Sequence, residues 1–290
     1  MRIRLIAHPG AGDGVDVDRV VEAIQASGHE VLEVCSRVDA AAPLSDGVDL
    51  VAVAGGDGTV GSVLLDSAGS DVPVALIPSG TANNIARSLG HGVDALDRTL
   101  TSWASVPRRF ELPAVRVADR VGRFAESVGA GLLAGAIEAS DRSDADHDVA
   151  EARRLLADLA GSWPAVTAHV DADGHRWSGE VLAVEVLNIG TVGPNLVLAP
   201  GSVPGGPEVI VAALLATDRW AFRSLAQAPD GPVMVPALLR RGRKVRVTFD
   251  GPAPVHIDDE LVEPAPIEAE VTGVAALVVG GDQPSGSAGG

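Results

Sequence analysis

Apolar positions in the first hundred residues fall into short strand-length segments separated by segments of helical period. Strand segments at 2–7, 30–35, 49–54 and 72–77 alternate with helical ones at 16–27, 58–67, 81–89 and 94–104. Asp16 is placed to cap the first helix and Gly28 to end it. Regular strand–helix alternation predicts a parallel, doubly wound sheet. From Pro107 the pattern changes. Strand segments dominate at 109–118, 121–128, 165–171, 175–188, 208–216, 243–250, 253–258 and 266–280. Turn signals such as Ala172-Asp173-Gly174 and Asp250-Gly251-Pro252 separate them. Helical segments interrupt at 131–139, 148–160 and 218–227, the second opening on a capping-box-like Asp148 and Glu151. The acidic stretch Ser140 to Asp148 reads as a solvated loop. This half predicts mostly antiparallel β-structure, arranged as a sandwich. The expected division is an α/β lobe over 1–106, a β-rich lobe over 107–280 and a disordered Gly/Ser/Pro-rich tail over 281–290.

Composition narrows the function classes. A chain of 290 residues with 46% hydrophobic content can bury a sizeable core in one large domain or two modest ones. The longest apolar runs, such as Val209 to Ala216, are far too short to span a bilayer. Met1 to Ala7 reads as a first strand, not as a signal peptide. Cys35 is the single cysteine, so no intrachain disulfide can form, and cytoplasmic residence is the expectation. The net charge of −17 repels nucleic acid and anionic lipid. Nucleic-acid binding is not expected, and membrane association is expected to be peripheral and transient at most. Lys244 is the only lysine, so the Gly-x-x-x-x-Gly-Lys-Ser/Thr phosphate loop is absent.

Chemistry gathers at two glycine-rich loops. Gly55-Gly56-Asp57-Gly58-Thr59 directly follows the apolar run Asp49 to Ala54 and precedes a helical segment. Glycines admit positive φ and let a polyphosphate approach main-chain N–H groups, and the helix N-terminus adds partial positive charge. Asp57 would repel phosphate unless a cation or a donor stood between them, a requirement that a Mg²⁺-nucleotide meets. The plainer reading makes Asp57 a helix cap in an ordinary βα turn. Pro78-Ser79-Gly80-Thr81-Ala82-Asn83-Asn84 follows the next strand and leads into another helix. In a parallel sheet both loops emerge at the carboxyl edge, where α/β proteins bind ligands. Thr81, Asn83 and Asn84 offer hydroxyl and amide groups to phosphate, ribose or metal-bound water, or serve as helix caps.

With these motifs the chain resembles the diacylglycerol kinase catalytic-domain family, which includes bacterial lipid kinases and sphingosine kinases. His8-Pro9-Gly10-Ala11-Gly12 is similar to the family's opening Asn-Pro-x-Ser/Ala-Gly loop. Gly55 to Thr59 matches its nucleotide loop, and Pro78 to Arg87 is similar to its Pro-x-Gly-Thr-x-Asn-Asp/Asn-x-Ala-Arg. Asp258-Asp259-Glu260 looks like its Asp-Gly-Glu. The resemblance covers about residues 1–280. It implies two lobes with ATP in the cleft, and transfer of the γ-phosphate to a lipid hydroxyl such as that of diacylglycerol or a sphingoid base. Nucleotide would be held by Pro9, Gly10, Gly12, Gly55, Gly56, Asp57, Gly58, Thr59, Gly80, Thr81, Asn83 and Asn84. Glu260 would be the general base, and Asp57 would act through Mg²⁺. The alternative for Asp258 to Glu260 is a solvated acidic turn. One departure stands out: after Ala199-Pro200-Gly201-Ser202 the family carries an acid that helps to hold magnesium, whereas here the chain reads Gly205-Gly206-Pro207, with Glu208 the nearest carboxylate. A catalytically weak or inactive nucleotide-binding homologue, and a kinase of a soluble substrate resembling NAD kinase, are therefore the other readings.

Overall fold

The computed structural model describes residues 1–7, 16–36, 47–92, 96–142 and 148–281. In chain order its elements begin β1 (Arg2–Ala7), α1 (Val17–Ala26), β2 (Glu30–Cys35), β3 (Leu50–Gly55), α2 (Asp57–Asp66), β4 (Val74–Pro78), α3 (Asn84–Ser88), α4 (Leu96–Ser102) and β5 (Arg108–Glu111). Then come β6 (Ala114–Val117), β7 (Arg120–Arg123), β8 (Ser127–Gly131), α5 (Leu132–Asp141), α6 (Val149–Ser162), β9 (Val166–Ala172) and β10 (His175–Leu187). These are followed by β11 (Thr191–Val192), β12 (Leu196–Val197), β13 (Val209–Leu215), α7 (Arg219–Arg223), β14 (Val233–Met234) and β15 (Leu238–Gly242). The last are β16 (Lys244–Phe249), β17 (Val255–Ile257), β18 (Glu260–Val262), β19 (Ile267–Glu270) and β20 (Ala275–Val279). The chain divides into two compact units, Met1–Phe110 with the residues from Ala275 onward, and Glu111–Val274.

In the first unit the described strands form one sheet in the order β2-β1-β3-β4-β20-β5. β2, β1, β3, β4 and β20 pair in parallel. β3 is buried along its whole length and β4 along all but its last residue, as expected of central parallel strands covered on both faces. β2 lies at the edge and alternates, leaving Leu32 and Val34 exposed. α1 buries Val20 and Ile24 against the sheet, and the Asp16 carboxylate accepts the Arg19 N–H at 3.0 Å to start it. The doubly wound α/β expectation holds, with one correction to the boundaries. The final strand, expected in the β-rich lobe, returns to the first sheet between β4 and β5. The 109–118 segment also divides. Pro113, which has no N–H to give a ladder, separates β5 of the first sheet from β6 of the second.

The second unit is antiparallel, as the turn signals predict. β10 is 13 residues long. Residues 175–181 pair with β9, and the stretch to Leu187 pairs with β8 on one side and β13 on the other. Inward-facing Val128, Val184, Val211 and Val255 of one half meet Val117, Val170, Val247 and Ile267 of the other in a single apolar core. The two halves thus pack face to face, as sheets of a sandwich do. A second core on the other face of β10 holds Leu182, Leu187 and Leu214 with Leu133, Leu156 and Phe222 of the helices. The short strands β11, β12 and β14 and the arginine-bearing β15 lie outside the sequence expectation. Among the described residues no helix is long and apolar enough to cross a membrane. The 281–290 tail falls outside the described residues beyond Gly281.

Candidate functional site

In the first unit, the register Gly55↔Pro78 brings the ends of β3 and β4 side by side, so the two glycine-rich loops leave the same edge. Their backbones touch. A Cβ built on Gly80 would lie 2.3 Å from the Gly56 Cα, so glycine is required there by contact. The Ser79 N–H donates to the Gly55 carbonyl at 3.1 Å. Asn83 holds the second loop closed from a left-handed backbone (φ 53°). Its Oδ1 accepts the Gly80 N–H at 2.9 Å, and its Nδ2 donates to the Gly80 carbonyl. Thr59 is buried with its side chain against Gly55, which makes it a packing residue of the loop. Thr81 is exposed, and Gly58 is partly so. α2 starts without a side-chain cap. Its first-turn N–H groups, which no α-helix satisfies internally, therefore remain at the loop.

Asp57 does not cap the helix that it begins. Its Oδ2 accepts the Asn84 N–H and its Oδ1 accepts the Ile85 N–H, both at 2.9 Å. The carboxylate thus ties the start of α2 to the start of α3. Burial pushes its carboxyl above the usual range, against the pull of the Ile85, Asn84 and Asn83 N–H groups and the Arg87 charge. Three backbone N–H groups thus converge on one carboxylate. Pro9, Gly10 and Gly12 lie outside the described residues.

In the second unit, Glu260 opens β18 and is exposed. Its Oε2 accepts from Arg120 Nη2, and both side chains are 56% exposed. Asp258 sits in the turn before it, with φ 49°. The Asp258 carboxylate accepts the N–H groups of Ala125 (2.9 Å), Glu126 (2.7 Å) and Ser127 (3.1 Å). Burial raises its carboxyl, opposed by those three N–H groups and by His256. Behind the turn lies a pair that the sequence reading missed. His256 Nε2 faces both oxygens of Glu185, at 3.0 and 3.2 Å, and Nδ1 lies 2.8 Å from the Asp258 carbonyl. Both residues are buried. Burial lowers the His256 pKa, but the charge and hydrogen bond of Glu185 outweigh it and leave the value raised. A signal existed: Glu185 is the one polar residue in Val181-Leu182-Ala183-Val184-Glu185-Val186-Leu187, a stretch buried throughout.

Residues 3–112 match the model of the diacylglycerol kinase catalytic domain. The resemblance read from the motifs is borne out. Over 98 residues the chain is 36% identical to a diacylglycerol kinase of Mycobacterium tuberculosis, a match that covers 31% of this chain and 32% of that protein. The matched region is thus about a third of the relative's length. Among solved structures, a diacylglycerol kinase from Bacillus anthracis superposes with a TM-score of 0.66 at 17% identity, covering 98% of this chain and 97% of that one. An NAD kinase from Archaeoglobus fulgidus in complex with ATP gives a TM-score of 0.55 at 16% identity, with 97% and 94% covered. These likenesses show the two-lobe fold.

Against the family pattern, the missing acid falls in a tight turn. Gly205 has φ 58°, its N–H donates to the Asn188 carbonyl at 3.0 Å and its carbonyl accepts the Glu111 N–H at 2.9 Å. A Cβ on Gly206 would meet the Val203 carbonyl at 2.9 Å. Among the described residues no three His, Cys, Asp or Glu side chains gather as a metal site. The carboxylate at the loops that would serve a nucleotide-borne Mg²⁺ is Asp57, which its hydrogen bonds already hold in place.

Proposed function

We propose that this chain is an ATP-dependent kinase that transfers the γ-phosphate to a hydroxyl of a lipid, of the diacylglycerol or sphingoid class. The observation that carries the reading is the double loop of the first unit. Two glycine-rich turns stand backbone against backbone at one edge of a parallel sheet, beside a helix N-terminus that no side chain caps. Such an arrangement offers fixed N–H groups to a polyphosphate without a lysine. Asp57 holds the two helix starts together and is the carboxylate that would serve the nucleotide's cation. When bound, Mg²⁺ would neutralise phosphate charge. In the transfer the acceptor oxygen bonds to the γ-phosphorus as the bond from that phosphorus to the β–γ bridging oxygen breaks. ADP leaves, and the hydroxyl proton passes to the Glu260 carboxylate. The ion pair with Arg120 is no obstacle, because exposed pairs are worth about 0–1 kcal/mol.

A second reading is a nucleotide-binding protein with little turnover. The glycine turn at Gly205-Gly206, in place of the family's acid, favours it. One assay separates the readings. Radiolabelled ATP is offered with diacylglycerol, a sphingoid base and NAD as acceptors, using wild type and Glu260→Gln. Label entering a lipid, with turnover in Glu260→Gln lowered about 10²–10⁴-fold at unchanged ATP affinity, supports the proposal. Nucleotide binding without transfer to any acceptor supports the second reading. Transfer to NAD alone overturns the lipid assignment.

A further inference from the structure

We propose that Glu185 and His256 are positioning residues that fix the β17–β18 turn, and with it Glu260, through the backbone carbonyl of Asp258. The inference rests on the reading of Glu260 as the proton acceptor.

Three strands build the device. Glu185 on β10 and His256 on β17 both pair with Gly129 of β8, from opposite sides. The three residues therefore lie in one row across the sheet and share a face. Gly129 makes the contact possible. A Cβ there would fall 2.1 Å from Glu185 Oε2, so any other residue would block the carboxylate from crossing to the histidine. The face is otherwise apolar, and Glu185 lies between Ala183 and Leu187 of the helix-covered core. An apolar side chain would fill its place without desolvating a charge. Buried pairs of this kind are poor stabilisers, and specificity of geometry is a better reason for one.

Proton bookkeeping gives the pair a direction. The Asp258 carbonyl can only accept, so His256 Nδ1 carries a proton and donates to it. Nε2 faces the two carboxylate oxygens and donates its own proton to them, so the ring is an imidazolium whose plane the carboxylate fixes. The charged groups that face the ring are Glu185 from β10 and Asp258 from the turn, while β8 presents only Gly129. Asp258 is thereby held from two sides. Its carbonyl is held by His256, its carboxylate by the N–H groups of Ala125, Glu126 and Ser127, and its own N–H donates to the Ser127 carbonyl at 2.7 Å. Its left-handed backbone is one that a non-glycine residue keeps only when its surroundings enforce it. Glu260 follows two residues later, where a small rotation of the turn displaces its carboxylate.

Two amide substitutions separate the halves of the ring. In His256→Asn the amide nitrogen can replace Nδ1 and keep the bond to the Asp258 carbonyl. In His256→Gln it can replace Nε2 and keep only the bond to Glu185. We expect His256→Asn to retain kcat to within about threefold, and His256→Gln to lose about 10–10²-fold in kcat, the scale of an ångström misplacement. ATP affinity should be equal in both. Amide hydrogen exchange at Asp258, whose N–H donates to the Ser127 carbonyl, and at Glu260, which pairs with Ile257, should quicken in His256→Gln and stay slow in His256→Asn. That second readout does not depend on catalysis. Protected amides in His256→Gln, or loss of kcat in step with melting temperature in both variants, would overturn the inference. Divergent exchange combined with an active Glu260→Gln would leave the positioning intact and remove the base assignment instead. Should His256→Gln fail to fold, the double variant Glu185→Leu/His256→Leu, which fills the same volume without charge, takes its place with the same expected loss.

Discussion

The glycine-rich loops of the first unit and the β17–β18 turn of the second both place an acid at the end of a strand, and they do so by opposite means. At Gly56 and Gly80 the geometry is fixed by the absence of side chains, with backbone touching backbone and N–H groups turned to the loop. At Asp258 it is fixed by buried side chains drawn from strands far apart in sequence. The first arrangement tolerates no added bulk. The second tolerates bulk in places but no loss of charge balance. Substitutions that separate these sensitivities test the comparison.

The largest effect is expected at the loops. Gly80→Val forces a side chain into the Gly56 backbone and should abolish ATP binding in a titration, with a lowered melting temperature. Unchanged affinity would mean that the loops can part without cost, contrary to the contact seen. Next comes Glu185→Leu. It leaves His256 buried without its partner, and unpairing a buried ion pair costs about 3–5 kcal/mol. Chemical denaturation should show that loss, whereas the Glu185→Leu/His256→Leu pair should recover most of it. Asp57→Asn ranks third. The amide sets an N–H against one of the N–H donors that the carboxylate now satisfies, at about 1–3 kcal/mol. A melting temperature equal to wild type would show that the carboxylate does not link the two helix starts. The smallest effect concerns pH. The His256 pKa is raised, so its contribution to stability is full below the unfolded histidine value of about 6.5 and is lost as pH rises through the higher folded value. Wild type should lose melting temperature relative to His256→Asn across that window, and parallel curves would show that the pair does not titrate there.

The same contrast explains what was legible in the sequence. The loops were readable because their reasons are local. Gly55 to Thr59 and Pro78 to Asn84 each follow an apolar strand and precede a helix, and glycine at such a junction has few other uses. What the sequence could not show was the partner of Asp57. It is 27 residues away at Asn84, whereas the sequence offered only a nucleotide-borne Mg²⁺ or, as the alternative, the cap of its own helix. At the second turn the acids Asp258 and Glu260 were visible but their division of labour was not. Asp258 holds backbone N–H groups of 125–127 and the exposed Glu260 pairs with Arg120, partners that lie more than 130 residues away in sequence. Glu185 was overlooked because an acid within an apolar strand has meaning only once Gly129 and His256 are seen beside it. Strand boundaries failed where proline or a left-handed residue intervened, at Pro113 and Asp258.

The last strand of the first sheet has a consequence for the order in which the chain can mature. β20 stands between β4 and β5, although more than 160 residues separate it from the latter. During synthesis β5 emerges early but finds its neighbour's place vacant, and the ribosome must make the entire second unit before that place is filled. Loop closure over such a span is slow. Until it occurs, the edge of β4 is an open strand with unpaired backbone groups, the kind of surface that recruits other chains. A nascent chain stalled before Ala275 would carry both glycine-rich loops complete in sequence on a sheet still missing an inner member.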